Sequence, residues 1–181
     1  LASRSGAKLS THQPAEAFGF IRHPDGRIHL EIPELLAALR DLGREGEGAQ
    51  AERYPLVLVA GERRAYNANL VYRDPAWRKS DAEGALHVHP EDARALGLVD
   101  GGRAVCESAR GSLEVRVAIT DDVRPGMVTL PNGYGTEHPG ADGTRRPAGP
   151  AVNVLTDAAW RDPIAATPLH KHVRVRVRPA A

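Results

Sequence analysis

The hydrophobic and polar positions divide the chain into a sparse first third and a strand-rich remainder. Residues 1 to about 17 are polar and without period, and are expected to form a disordered tail or linker. From Phe18 to Leu30 the chain carries a turn signal, His23-Pro24-Asp25-Gly26, then Arg27-Ile28-His29-Leu30 as a short extended piece. A helix is predicted over Ile32 to Leu42, with Pro33 in its first turn. Leu35, Leu36, Leu39 and Leu42 lie at helical spacing, and Gly43 ends it. Residues 43–53 are rich in Gly, Glu and Arg and read as a linker at a domain boundary.

Strands dominate from Leu56. The continuous apolar run Leu56-Val57-Leu58-Val59-Ala60, closed by Gly61, suits a strand buried on both faces. Residues 62–83 are irregular, and Ala85 to Val88 predicts a short strand. Pro90 to Gly97 predicts a short helix, with Pro first, acids in the first turn and Gly at the end. A hairpin follows, Arg103 to Ala109 and Ser112 to Thr120 around Arg110-Gly111. Leu113, Val115, Val117 and Ile119 alternate with Glu114, Arg116 and Ala118. Asp121 to Gly126 turns the chain into another strand, Met127 to Leu130. Residues 131–150 form a long Gly- and Pro-rich loop, and Ala151 to Leu155 is short and apolar. The last strand alternates Val173, Val175 and Val177 with Arg174, Arg176 and Arg178. Many short strands, few helices and no βαβ rhythm point to a closed β-barrel rather than a doubly wound sheet.

Composition narrows the function. At 181 residues the chain fits one domain with an appendage, and aliphatic residues must build its core because aromatics are only 4%. The first residue, Leu1, reads as the start of a fragment, or as a processed or engineered start. No apolar run is long enough to span a membrane, and none has the order of a signal peptide. Net charge is +1, and Lys8, Lys79 and Lys171 are the only lysines among 24 basic residues. The arginine-striped last strand is read as half-buried and half-solvated, so no nucleic-acid partner is expected. The single Cys106 excludes internal disulfides and a cysteine-only metal cluster. It suits a reducing compartment, and the cytoplasm is the expected location.

No Gly-x-Gly-x-x-Gly, phosphate-binding loop, nucleophile elbow or Cys-x-x-Cys is present, and no catalytic residue is assigned. His87 with His89, and His170 with His172, are spaced to share a strand face and supply two ligands each. No acidic or cysteine partner matches them, and no metal site is assigned. Chemistry gathers instead in three loops. Gly61-Glu62-Arg63-Arg64-Ala65-Tyr66-Asn67-Ala68-Asn69 sets guanidiniums, carboxamides and a phenol behind a glycine. Backbone can approach a ligand there, arginine can grip a diphosphate, and asparagine matches amide-like ring edges. Pro131-Asn132-Gly133-Tyr134-Gly135 and Asn153-Val154-Leu155-Thr156-Asp157 have similar character. Loops at one end of a barrel commonly form binding sites.

From Tyr54 to Arg178 an ordered series of segments is recognisable. It runs through Leu56 to Gly61, Leu86-His87-Val88-His89-Pro90-Glu91-Asp92-Ala93, Leu96-Gly97-Leu98, Asp100-Gly101 and Arg110-Gly111-Ser112. It continues through Val123-Arg124-Pro125-Gly126-Met127-Val128, Leu130-Pro131-Asn132-Gly133, Asn153-Val154-Leu155-Thr156 and Asp162-Pro163. In that order and spacing it resembles the C-terminal dinucleotide-binding domain of molybdopterin oxidoreductases, the group of formate dehydrogenases, nitrate reductases and dimethyl sulfoxide reductases. Asp25-Gly26-Arg27-Ile28 and the helix after it resemble the lead-in of formate dehydrogenase-like members. The resemblance implies a lead-in over 1–53 and a six-stranded double-psi β-barrel of the aspartate decarboxylase-like kind over 54–181.

It further implies a molybdopterin guanine dinucleotide carrying molybdenum or tungsten, lined by Gly61, Arg63, Arg64, Tyr66, Asn67 and Asn69. Asn132, Gly133 and Tyr134, then Asn153, Thr156 and Asp157, complete the lining, with Lys171 near the last strand. Glu62 departs from the family's pattern, in which an arginine directly follows the opening glycine. In the family the metal ligand and iron–sulfur cysteines belong to other domains, so this domain is expected to hold the cofactor without catalysing alone. Two other readings stand beside this one. The barrel could be a non-catalytic binding module or separate subunit, or a self-processing enzyme cut at Gly111-Ser112.

Overall fold

The computed structural model describes residues 13–41, 49–62, 81, 83–162 and 164–180. The chain divides into two compact units, Leu1–Arg44 and Glu45–Ala181.

In the first unit Pro14–Phe20 forms a 3₁₀ helix, where the sequence led us to expect tail or linker as far as residue 17. Pro14 presets its dihedral angle. The Gln13 N–H donates to Glu16 Oε2 at 3.1 Å, while the Glu16 N–H donates to the Gln13 carbonyl at 2.9 Å. The turn at His23–Gly26 is present, closed by Gly26 N–H to His23 O at 2.9 Å. Arg27 to Leu30 joins no ladder among the described residues. Helix α1 runs Pro33–Asp41 and buries none of its side chains. The expected end at Leu42 and Gly43 lies outside the described residues.

In the second unit α2 occupies Ala49–Arg53, inside the stretch expected to be linker. Its sequence, Ala-Gln-Ala-Glu-Arg, consists of strong helix formers, and their propensity overrides the polar composition. The remaining elements are β1 (Leu56–Glu62), β2 (Leu86–Val88), α3 (Pro90–Leu96), β3 (Arg103–Ser108), β4 (Ser112–Ile119), β5 (Met127–Pro131), β6 (Glu137–Pro139), β7 (Arg145–Pro147) and β8 (Val173–Pro179). Six strands close into a barrel in the order β1-β5-β2-β4-β3-β8. β1 runs parallel to β5 and β2 parallel to β4, while the other four pairings are antiparallel.

The barrel interior is aliphatic. Leu56, Leu58 and Ala60 of β1 point inward with Leu86, Val88, Ala104, Val115, Val117, Val128, Leu130, Val175 and Val177. Val57 and Val59 are only half-buried, so β1 is not covered on both faces as its apolar run suggested. A strand of a closed barrel has one inward and one outward row, and the apolar outward row is only half covered. Helix α3 starts and stops as its sequence predicts. His89 Nδ1 accepts from the Glu91 N–H at 3.2 Å, and Gly97 takes φ +68° beyond Leu96.

Cys106 is fully buried on β3, and burial pushes its thiol from about 9.0 up to about 12. The unfolded chain therefore releases this proton first. Stability from Cys106 is complete below pH 9 and is lost progressively as pH rises toward 12, by about 1.4 kcal/mol per unit at most. A maleimide reagent at neutral pH should label Cys106 only after denaturant unfolds the barrel. Rapid labelling of the folded chain would contradict this burial.

Candidate functional site

Strand directions decide which loops meet. β1 and β5 are parallel, so both deliver their C-terminal ends to one end of the barrel. β8 is antiparallel to β1 and enters from that end, and β3, antiparallel to β8, leaves there. The segments after Ala60, Pro131 and Ser108 and the segment before Val173 thus share one rim.

At this rim β1 bulges. Ala60 pairs with Leu130, but Glu62, not Gly61, pairs with Pro131. The extra residue is Gly61, at φ +79°, where a side chain would be strained. Glu62 turns away along the barrel wall. Its Oε2 accepts from Thr129 Oγ1 at 2.6 Å and lies 4.0 Å from His87 Nδ1. The residue that departs from the family's pattern is thus bound to the barrel flank.

The second loop is shaped by the left-handed glycines Gly133 and Gly135 around Tyr134. The Tyr134 ring is buried, and a β-carbon at Gly84 would sit 2.8–2.9 Å from it. Its hydroxyl donates to the Asp81 carbonyl at 2.7 Å. Tyr134 is among the residues lining the cavity, while its ring packs against Gly84 and Gly149 and its hydroxyl serves the fold. The third loop is a 3₁₀ turn over Val152–Val154. Leu155 is anchored below it, its carbonyl accepting from buried Ser108 Oγ at 2.8 Å.

These loops enclose a cavity of about 370 Å³, lined among others by Gly61, Asn132, Gly133, Tyr134, Asn153 and His170. Gly61 leaves bare backbone between neighbours. A β-carbon there would lie 3.6 Å from His170 Cδ2 and 4.0 Å from Asn132 Nδ2. Among the described residues, Asn132 Oδ1 is buried without a hydrogen-bond partner. A carbonyl oxygen so placed costs on the order of 1–3 kcal/mol unless a donor reaches it. A second cavity of about 120 Å³, lined by Ser108, Arg110, Asp157, Trp160, His170 and Arg174 among others, opens on the same rim.

The structure thus brings Gly61, Asn132, Gly133, Tyr134 and Asn153 together. Asp157 lies in the smaller cavity, and its Oδ1 accepts from the Ala159 N–H at 2.8 Å. Thr156 lines neither cavity and donates weakly to the Asn153 carbonyl at 3.3 Å. Lys171 is exposed and lines neither. Arg63, Arg64, Tyr66, Asn67 and Asn69 lie outside the described residues. His170, with Ala60, Ala151 and Val152, lines the larger cavity without having been singled out by the sequence as a cofactor contact. Its signal was the His170/His172 spacing, weighed there only as a metal pair. Among the described residues no three His, Cys, Asp or Glu side chains gather as a metal site, and no helix is long and apolar enough to cross a membrane.

A closed six-stranded double-psi barrel with a polar, glycine-floored cavity at one rim defines a small-molecule-binding barrel. Residues 56–174 match the family described as "Molydopterin dinucleotide binding domain", and the chain belongs to that family of molybdopterin dinucleotide-binding domains. It is 30% identical over 112 residues to a putative dimethyl sulfoxide reductase catalytic chain of Halobacterium salinarum, covering 61% of this chain and 13% of that protein. It is 26% identical over 139 residues to the alpha chain of the F420-dependent formate dehydrogenase 1 of Methanococcus maripaludis, covering 76% and 18%. Among solved structures, acetylene hydratase from Pelobacter acetylenicus has the same fold, with a TM-score of 0.62 at 22% identity over 73% of this chain and 19% of that one. The chain therefore spans less than a fifth of the length of each of these three proteins.

Proposed function

We propose that the cavity of Gly61, Asn132 and Asn153 holds part of a molybdopterin guanine dinucleotide, within a molybdenum or tungsten oxidoreductase of formate dehydrogenase-like or dimethyl sulfoxide reductase-like kind. The observation that carries this is Asn132, whose Nδ2 faces the bare backbone of Gly61 and whose buried Oδ1 has no hydrogen-bond partner among the described residues. The donor set fits the group. Asn132 and Asn153 offer both donors and acceptors to a pterin edge, and the Gly61 bulge admits a flat ring close to the backbone. Arg63 and Arg64, with Tyr66, Asn67 and Asn69, follow directly from that bulge, and paired guanidiniums suit a diphosphate. When bound, the metal dithiolene supplies the redox chemistry. The residues of this chain bind it, orient it and cover it from water, and the catalytic groups belong to other parts of the parent protein.

The test is to isolate the native polypeptide carrying this sequence and measure its chain mass, its molybdenum and tungsten content and the nucleotide freed by acid hydrolysis. A chain several times longer than 181 residues that carries one of the metals and releases GMP is expected. Release of a different nucleotide would overturn the guanine assignment. A polypeptide with neither metal nor pterin would overturn the cofactor-holding role.

A further inference from the structure

The smaller rim cavity, of about 120 Å³, has a chemistry of its own. A cavity on the order of 150 Å³ admits one benzene ring, so this one takes a single side chain and not a pterin or a nucleotide. Ala109, Leu155 and Val173 give it apolar lining. Trp160 and Leu169 also line it, and they belong to a loop folded back on itself. The Leu169 N–H donates to the Trp160 carbonyl at 3.0 Å and the Asp162 N–H to the Thr167 carbonyl at 2.9 Å, with a bridge between Arg161 and Pro168. Asp162 Oδ1 holds the turn by accepting from the Ile164 N–H at 3.0 Å. These bonds order the loop, yet Trp160 stays 45% and Leu169 40% exposed. An ordered loop that presents tryptophan and leucine to solvent beside a cavity marks a contact surface.

Charge identifies what fills the cavity. Arg110 and Arg174 line it with His172. The Arg110 N–H donates to Ser108 Oγ at 3.1 Å, but its guanidinium has no carboxylate partner among the described residues. Asp157, the one carboxylate in the lining, accepts from the Ala159 N–H at 2.8 Å and forms no ion pair with Arg110. An apolar lining with a guanidinium complements one carboxylate on a short methylene stem. The chain spans less than a fifth of its relatives, and this cavity shares its rim with the larger one. We propose that the smaller cavity is a docking site for a Glu or Asp side chain carried by a segment of the parent polypeptide outside these 181 residues, whose apolar neighbours cover Trp160 and Leu169. This rests on the reading above that the chain is one domain of a larger oxidoreductase.

The experiment uses the full-length parent protein with Trp160 replaced by the photo-crosslinking residue p-benzoylphenylalanine. After irradiation the crosslinked peptides are mapped, and thermal melting and pterin content are measured alongside. The expected crosslink lies within one polypeptide, on a peptide outside these 181 residues and beside an Asp or Glu. Attachment to a second copy, to a separate subunit, to the cofactor or to a peptide without an acid would overturn the proposal, as would no crosslink at all. Arg110→Glu should lower the yield about tenfold, and placing Arg at the mapped acid in the same chain should restore it to within about threefold. An unchanged yield in Arg110→Glu, or no recovery in the charge swap, would overturn the role of Arg110. If Arg110→Glu melts early, the charge swap alone decides. A missing crosslink with normal pterin content overturns this proposal and leaves the cofactor reading intact. A protein without pterin that still gives the crosslink overturns the cofactor reading and leaves the docking site.

Discussion

Replacing Gly135 by alanine is expected to destabilise the barrel by roughly 2–5 kcal/mol and to empty the site. Two costs combine. Gly135 has φ +83°, a conformation that costs an L-residue about 1–2 kcal/mol. Its new methyl group would also sit 2.5 Å from Ala151 Cβ and 2.6 Å from Ala151 Cα, an overlap that backbone must move to relieve. Relieving such overpacking costs about 1–3 kcal/mol. The movement would part the Asn132–Gly135 loop from the Val152–Val154 turn, the two walls of the larger cavity. Gly143→Ala is the control, since Gly143 has φ +74° but nothing within 4 Å of a new β-carbon. It should cost only the backbone part. Urea unfolding of both variants checks this. Equal midpoints would mean that contact with Ala151 contributes nothing.

How much of this was legible in the sequence depended on whether the cause was local. The Val173, Val175, Val177 alternation describes β8 because one inward row needs period two. Pro90 and Gly97 bracket α3 because caps act within a turn. The β6–β7 hairpin was hidden in what read as a loop over 131–150. Neither Glu137-His138-Pro139 nor Arg145-Arg146-Pro147 buries an apolar row. The hairpin rests on its turn, with Gly140 N–H to Thr144 O at 2.7 Å, and on the Arg145 guanidinium donating to the Glu137 carbonyl at 2.9 Å. The parallel pairing of β1 with β5 joins segments about 70 residues apart and leaves no local trace, so a closed barrel followed from the many short strands without βαβ rhythm, while its six-stranded double-psi kind came through the family resemblance.

The site followed the same division. Glycines before polar residues marked Gly61 and Asn132 to Gly135 as places where backbone is exposed to a ligand. The sequence could not show that the Tyr134 hydroxyl is consumed by Asp81, nor that Glu62 is tied to Thr129, because both partners are remote along the chain. His170 was missed for the converse reason. Its contacts to Ala60 and Gly61 exist only once β8 runs antiparallel to β1.

Asn132→Leu should move stability and ligand retention in opposite directions. In the cofactor-free protein the Asn132 carboxamide oxygen is buried and has no hydrogen-bond partner among the described residues. Such an acceptor costs on the order of 1–3 kcal/mol, whereas an apolar side chain of similar shape leaves no lone pair unsatisfied. Unfolding of the cofactor-free variant should therefore show unchanged stability or a gain of about 1 kcal/mol. If the cavity holds the pterin as proposed, replacing Asn132 removes its carboxamide from the lining, so the variant should retain roughly ten- to a hundredfold less pterin. A purely structural asparagine would behave otherwise: its loss would lower stability first, and retention only as a consequence. The sign of the change in cofactor-free stability separates the two cases. A destabilised Asn132→Leu chain with normal pterin content would mean that the oxygen is satisfied by the protein in solution and that the cavity recognises its ligand elsewhere. A binding site that leaves polar groups unpaired until its ligand arrives is expected to gain stability when one is removed, because its residues are selected for the complex rather than for the empty fold.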